Sequence, residues 1–192
     1  NYAKILSDLY KKIEKSSIVW IRQHSQDGIG SATMLAKDYV GSKPFLFHAG
    51  DLYIPKTKYL KNLIKVHNKS NPAATVGLKK VKDPKRYGVV TFKKNKDELK
   101  ITKVVEKPKN PDSNYILTGV NIFEKEIFNA IKNTKTGVNN EVQLTDGIQT
   151  LIKDGKMVVG SLMSSTDPCI DIGVPETYFD AIKYSYSHIV KK

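Results

Sequence analysis

The chain has 192 residues, of which 40% are hydrophobic and 27% are charged. This length suffices for one domain with a substantial core, and the composition is typical of globular proteins, which argues against a disordered chain. No apolar run approaches the roughly 18 residues of a membrane span, and no signal-peptide pattern opens the chain. The single cysteine, Cys169, excludes an internal disulfide and fits a reducing cytoplasm.

The formal net charge is +13, from 32 basic and 19 acidic residues. The basic residues are almost all lysines, since Arg22 and Arg86 are the arginines of the chain. Surfaces that read nucleic-acid bases favour the planar fork of arginine, and the lysines are scattered along the sequence. We therefore expect a solvated surface biased to lysine, with mild steering of anionic substrates as an alternative. Nucleic-acid binding stays open as an alternative.

Helices are predicted from helical apolar spacing and from capping residues, at 2–13, 32–40, 56–68, 124–132, 145–154 and from 175 onwards. Strands are predicted at 17–22, 44–49, 73–81, 89–92, 101–105, 115–123 and 157–163, with a short one ending at 170. Thr145 is expected to N-cap its helix. Strands alternate with helices in the first half but not in the middle, which predicts an α/β fold with a mixed, mostly parallel central sheet.

The first candidate site is Gln23, followed by a glycine-containing turn, 27–31, that leads into a helix. A side-chain amide offers the donor and the acceptor needed to read a pyrimidine edge. Gly28 would allow the backbone to approach a flat base or a phosphate. The alternative is an ordinary strand-turn-helix loop.

Two aspartates stand at predicted strand ends. Asp51 follows the apolar strand 44–49, and Asp171 precedes the last helix. Carboxylates at the carboxyl ends of strands face the crevice where α/β sheets bind ligands, and they are natural ligands of Mg²⁺. The alternatives are a turn-forming aspartate at 51 and a helix cap at 171.

The most specific signal is Glu106-Lys107, followed by a proline and preceded by Tyr87-Gly88. A carboxylate accepts hydrogen bonds from sugar hydroxyls, and a neighbouring lysine can reach a phosphate. Gly88 and Gly119 flank the pair in sequence and would allow a ligand to lie against bare backbone. The alternative is a surface ion pair of little energetic consequence.

The order of these motifs resembles that of the sugar-1-phosphate nucleotidyltransferases. The segment 141–146, Glu-Val-Gln-Leu-Thr-Asp, resembles one found in uridylyl- and thymidylyltransferases. Its implied role is structural, with Glu141 near the sugar site. The resemblance implies a Rossmann-like nucleotide-diphospho-sugar transferase fold. It also implies transfer of UMP or dTMP from UTP or dTTP to a sugar 1-phosphate, most simply glucose 1-phosphate, with release of pyrophosphate.

The resemblance also implies a role for each candidate residue. Asp51 and Asp171 would hold Mg²⁺, and Lys107 would bind the phosphate. The remaining residues would bind the substrates: Glu106, Gly88 and Gly119 the sugar, and Gln23 and Gly28 the base.

The resemblance covers nearly all of residues 1–192 but only about the later two thirds of the family's catalytic domain. Nothing in 1–22 resembles the family's glycine-rich loop with its arginine and lysine. We therefore expect a single nucleotidyltransferase domain, incomplete at its N-terminus, in a cytoplasmic homo-oligomer. A homologue that binds sugar nucleotides or regulates a partner without turnover is the alternative.

Overall fold

The computed structural model describes the backbone of residues 2–190 and the side chains of residues 2–188. The α-helices are α1 Tyr2–Glu14, α2 Ile29–Met34, α3 Lys37–Val40, α4 Thr57–Ser70, α5 Glu126–Lys132, α6 Leu144–Lys153 and α7 Pro175–Ser185. The strands are β1 Phe45–His48, β2 Leu52–Tyr53, β3 Ala74–Lys80, β4 Gly88–Asn95, β5 Glu98–Glu106, β6 Tyr115–Phe123, β7 Val158–Leu162 and β8 Ile170–Asp171. A 3₁₀ turn, Val138–Asn140, and a π-helical turn, Tyr186–Val190, complete the described elements.

Six strands form the central sheet in the order β1-β6-β3-β7-β5-β4. The predicted mixed sheet is confirmed, because β3 and β7 pair in parallel while β1–β6, β3–β6, β5–β7 and β4–β5 pair antiparallel. The expected majority of parallel neighbours is wrong for the described strands. Although β1, β3, β7 and β4 share one direction, the oppositely directed β6 and β5 run between them.

The hairpin β4–β5 lies at one edge of the sheet, and β4 also pairs with β6. Its turn includes Lys96, which adopts a left-handed φ of 50°, and two-residue turns of this kind require antiparallel strands. At one end of the hairpin, Val89 pairs with Ile116 of β6, and at the other, Leu99 pairs with Gly160 of β7. Gly88 and Glu106, which pair with each other, therefore lie beside the first half of β6.

Helices cover both faces of the sheet. On one face, α5 and α6 pack against a core that includes Phe123 and Phe128, and the ring of Phe45 stacks on that of Phe128 with centroids 5.3 Å apart. On the other face, Leu63 of α4 packs against Val120 and its neighbours on β6. The alternation along β6 thus sends successive side chains into two different cores.

The N-terminal region differs from the prediction. The helix expected at 2–13 is confirmed as α1, but the strand expected at 17–22 is wrong, because this segment is irregular and pairs with no strand among the described residues. Its apolar side chains stay exposed, with Trp20 at 91%, and α1 buries none of its residues. An apolar extended segment becomes a strand only where a neighbour supplies the hydrogen-bonding ladder.

Two local predictions also need correction. The helix expected at 32–40 divides into α2 and α3. Thr145 does not cap α6: Gln143 occupies the N-cap position, and no side chain caps that helix end. The hydroxyl of Thr145 has a different partner, described below.

Candidate functional site

Asp51 and Asp171 are brought together by a two-stranded ladder separate from the main sheet. Strand β2 pairs antiparallel with β8, so that Leu52 lies opposite Asp171. The backbone N–H of Ile172 donates to the carbonyl of Asp51 at 2.7 Å. A Cβ built on Gly173 would stand 3.1 Å from Asp171 Oδ1 and 3.4 Å from Asp51 Oδ2. The two carboxylates therefore converge on one small volume.

The two carboxylates have the ligand chemistry that a hard divalent cation prefers. Carboxylate oxygens are the ligands that Mg²⁺ favours, and Mg²⁺ is commonly held by one or two carboxylates together with water and substrate phosphate. Within residues 2–190, no group of three or more histidine, cysteine or acidic residues is arranged to hold a metal. Asp51 and Asp171 could thus supply the protein's share of a site that the substrate completes.

Two adjoining cavities form a single cleft above β6. The first, of about 230 Å³, contains both aspartates and Lys79 in its lining. The second, of about 200 Å³, contains Gly88 and Glu106. The two cavities adjoin, because four residues line both of them: Ala49, Tyr87, Leu117 and Gly119. We refer to the two cavities together as the cleft.

Glu106 lies at the end of β5, and its side chain is only 13% exposed. Its Oε2 accepts a hydrogen bond of 2.6 Å from the hydroxyl of Thr145. Gly88 leaves room for this carboxylate, since a Cβ there would stand 3.3 Å from Oε2. Lys107 follows with a left-handed φ of 41°, and its Nζ lies 3.8 Å from Glu106 Oε1. The two predicted residues therefore form an ion pair in which Glu106 lines the cleft, while Lys107 is 44% exposed and lines neither cavity.

Gly119 lies where β6 passes beneath both cavities. Its φ is +75°, a backbone conformation that residues with a Cβ adopt only at a cost. Its carbonyl accepts a hydrogen bond from the N–H of Ala49 at 2.9 Å, and a Cβ at 119 would stand 3.3 Å from Ala49 Cβ. This glycine thus joins β1 to β6 and keeps the floor of the cleft free of a side chain.

Gln23 and Gly28 lie together but line neither cavity. Gln23 Nε2 donates to the carbonyl of Gly28 at 3.3 Å. A Cβ on Gly28, whose φ is +96°, would stand 2.8 Å from both Glu141 Cβ and the carbonyl oxygen of Val142. The glycine is explained by this close packing of loop against loop, and base recognition by Gln23 and Gly28 stays a prediction.

Lys79 belongs to the cleft although sequence reasoning did not select it. Its Nζ donates to the carbonyl of Cys169 at 3.2 Å, which ties β3 to the segment that leads into β8. Burial raises the pKa of the Cys169 thiol, and the charge of Lys79 opposes that rise.

The Tyr59 hydroxyl contacts Thr118 Oγ1 at 3.4 Å, and burial raises the pKa of Tyr59 to about 12.

The comparison with protein families decides the class of the chain. A family model described as nucleotidyl transferase matches residues 1–187. The chain belongs to the nucleotidyl transferase family. Among solved structures, a UDP-glucose pyrophosphorylase complexed with UDP-glucose matches this nucleotidyl transferase with a TM-score of 0.86 at 26% identity, over 95% of this chain and 71% of that chain. The predicted fold class is thereby confirmed.

Curated relatives of this nucleotidyl transferase include the UTP–glucose-1-phosphate uridylyltransferase of Mycoplasma genitalium. It is 34% identical over 158 residues, which are 76% of this chain and 53% of the relative. The bifunctional protein GlmU of Methanocaldococcus jannaschii is 36% identical over 177 residues, which are 92% of this chain and 39% of the relative. The chain therefore spans about half or less of the length of these relatives.

Two cleft residues of this nucleotidyl transferase carry no sequence signal of their role. Lys79 stands beside another lysine, and only the register of β3 sends the first toward the cleft. Thr145 lies in a recognisable segment, but the sequence predicts that its hydroxyl caps the backbone at the start of the helix. The N–H of Val142 donates to the backbone carbonyl of Asp27 at 2.8 Å, and the N–H of Gly30 donates to the carbonyl of Val142 at 2.8 Å. The segment 141–146 therefore also anchors the loop that contains Gln23.

Proposed function

We propose that the protein transfers a uridylyl or thymidylyl group from a nucleoside triphosphate to a sugar 1-phosphate, with glucose 1-phosphate as the acceptor. The observation that carries the proposal is the convergence of Asp51, Asp171 and Glu106 on one cleft. One cavity has paired carboxylates suited to metal-bound phosphates. The adjoining cavity has a carboxylate suited to hydroxyl groups.

In this reaction an oxygen of the sugar phosphate attacks the α-phosphorus of the triphosphate. The new P–O bond forms as the bond to the β-phosphate breaks, and pyrophosphate leaves with the electron pair. Mg²⁺ held by Asp51 and Asp171 would neutralise charge on the phosphates. Lys107, which is paired with Glu106, would add a positive charge for the sugar phosphate, and Glu106 would fix the hexose. Positioning of the two substrates supplies most of the rate, and no covalent intermediate is needed.

The relatives support a uridine nucleotide, since their names include a UTP–glucose-1-phosphate uridylyltransferase and a UDP-glucose pyrophosphorylase. Gln23 and Gly28 remain the proposed contacts to the base. The single cysteine fits a reducing compartment, and a cytoplasmic location is part of this proposal.

The test measures pyrophosphate release with glucose 1-phosphate, Mg²⁺, and UTP or dTTP in turn, alongside calorimetric titration of UDP-glucose. We expect UDP-glucose to bind and Asp171→Asn to weaken that binding. Turnover with one nucleotide would name the base. A chain that neither turns over nor binds UDP-glucose would contradict the proposal. Binding without turnover would support the non-catalytic alternative.

A further inference from the structure

Glu106 needs a fixed orientation if it is to recognise a sugar. A carboxylate has several lone-pair directions, and a side chain with three rotatable bonds can present them in many ways. In the described chain, Oε1 has the ammonium of Lys107 at 3.8 Å, beyond hydrogen-bond distance. The hydrogen bond that defines the orientation is the one that Oε2 accepts from Thr145 at 2.6 Å.

Thr145 is well suited to this task. It is the second residue of α6 and is 7% exposed, so its own position is fixed by the helix and by packing. A hydroxyl has one proton to donate, and the structure directs it to the carboxylate and not to the backbone of α6. A hydrogen bond from a hydroxyl to a carboxylate is charge-assisted, and 2.6 Å lies in the strong range.

Gly88 completes the arrangement from the opposite side. A Cβ at this position would stand 3.3 Å from Glu106 Oε2 and 3.3 Å from Thr145 Cγ2. The carboxylate and the threonine thus lie against the bare backbone of β4 at Gly88, and Oε2 is already held by a hydrogen bond. Oε1 accepts no hydrogen bond within the described residues, and we therefore expect it to be the oxygen that binds a ligand in the cleft.

We propose that Thr145 is a positioning residue that holds Glu106 so that its free oxygen binds the hydroxyl groups of the hexose. The inference rests on the proposed function, because it assigns the sugar to the Glu106 side of the cleft. Thr145 acts through Glu106 and does not touch the reacting atoms.

Thr145→Val tests the hydrogen bond at nearly constant volume. A methyl group cannot approach a carboxylate oxygen as closely as a hydroxyl does, since C···O contacts lie at about 3.3 Å or more. Glu106 must therefore move or rotate in this variant. Thr145→Ser retains the hydroxyl and should retain the orientation. Thr150→Val is the matched control, because Thr150 lies on the same helix and its hydroxyl donates to the carbonyl of Asp146, outside the cleft.

Calorimetry with UDP-glucose and with UDP separates sugar recognition from nucleotide binding. We expect Thr145→Val to weaken UDP-glucose binding at least tenfold and leave UDP binding unchanged, while Thr145→Ser and Thr150→Val bind both ligands as the wild type does. In a Glu106→Gln background, Thr145→Val should have little further effect, because the two residues act as one unit. Thermal unfolding checks that each variant is folded.

Several outcomes would overturn the inference. Wild-type UDP-glucose affinity in Thr145→Val would show that the hydroxyl is dispensable. Equal losses for UDP and UDP-glucose would show a general structural defect. If Thr145→Val does not fold, Thr145→Ala takes its place with the same expected split between ligands. A wild type that binds neither ligand would contradict the proposed function itself, and the inference would fail with it.

Discussion

Gly173 stands directly beside the aspartate pair. A methyl group there would lie 3.1 Å from Asp171 Oδ1 and 3.4 Å from Asp51 Oδ2, in the volume on which both carboxylates converge. We predict that Gly173→Ala weakens the Mg²⁺-dependent part of UDP-glucose binding by about tenfold or more, as changes next to metal ligands do. Calorimetric titrations at several Mg²⁺ concentrations measure this effect.

Gly50→Ala is the control for this prediction. Gly50 precedes Asp51, but a Cβ there meets no atom within 4 Å. The Mg²⁺ dependence of UDP-glucose binding in Gly50→Ala should equal that of the wild type. If Gly173→Ala also kept the wild-type dependence, the aspartate pair would not be the metal site.

Gly119 combines a strained backbone with a place in the cleft. An L side chain at φ +75° costs about 1–2 kcal/mol, and the new Cβ would press on Ala49. We predict that Gly119→Ala lowers the melting temperature and also weakens UDP-glucose binding. Gly155→Ala, at φ +71° with open space around it, should lower the melting temperature alone. If both variants bind UDP-glucose with equal affinity, Gly119 has no specific role in sugar binding.

Sequence patterns selected three chemically distinctive side chains, whose roles stay predictions. Asp51, Asp171 and Glu106 follow or end apolar strands, and the cleft indeed brings these three together. The partner of Thr145 could not be predicted in this way. Whether a hydroxyl near a helix start serves its own backbone or a distant carboxylate depends on which strand end packs against that helix, and this contact spans 39 positions in sequence.

At the scale of elements, Lys79 links β3 to the segment preceding β8. Loss of a charged hydrogen bond to a carbonyl costs about 1.5 kcal/mol or more, which is about a tenfold change in a local opening equilibrium. We predict that Lys79→Met speeds hydrogen exchange of the Ile172 amide, which bonds to Asp51 across the β2–β8 ladder. Exchange followed by NMR or mass spectrometry measures this change.

Lys80→Met provides the comparison, since Lys80 is the next residue of the same strand and lies over the ring of Tyr115 at 5.9 Å. It should leave exchange at Ile172 unchanged. Similar acceleration in both variants would indicate a general loosening of β3 and would remove the specific role of Lys79.

Element prediction succeeded where the pattern is local. The expected strand 115–123 is β6 with the same bounds, and the expected strand 73–81 differs from β3 by one residue at each end. It failed at 17–22, since strand pairing is a property of two segments and the apolar content of one cannot establish it. The direction of neighbouring strands escaped prediction for the same reason: it follows from the path of the chain across the sheet.

At the scale of the whole molecule, the N-terminal region 2–22 leaves a continuous set of apolar side chains exposed. Trp20 is the single tryptophan and is 91% exposed. We predict that acrylamide quenches its fluorescence about as readily as that of a free tryptophan derivative. Restricted quenching at low protein concentration would contradict this exposure, and restriction that appears only at high concentration would support the predicted homo-oligomer.

No helix within residues 2–190 is long and apolar enough to cross a membrane. Helix α1 is thirteen residues long and has an exposed apolar stripe on one side and mostly polar residues, including three lysines, on the other, which is the pattern of a helix that packs against protein on one side. Large exposed apolar surfaces mark places of association.

The short β2–β8 ladder also has a consequence for the order in which the chain folds. Two residue pairs cannot offset the entropy of closing so long a loop, so the ladder can form only after the six-stranded sheet has brought both ends near. We therefore expect the meeting of Asp51 with Asp171 to be among the last events of folding. A nucleotide sugar that contacts both carboxylates would bind only to fully folded molecules. Its binding would in turn stabilise the β2–β8 ladder.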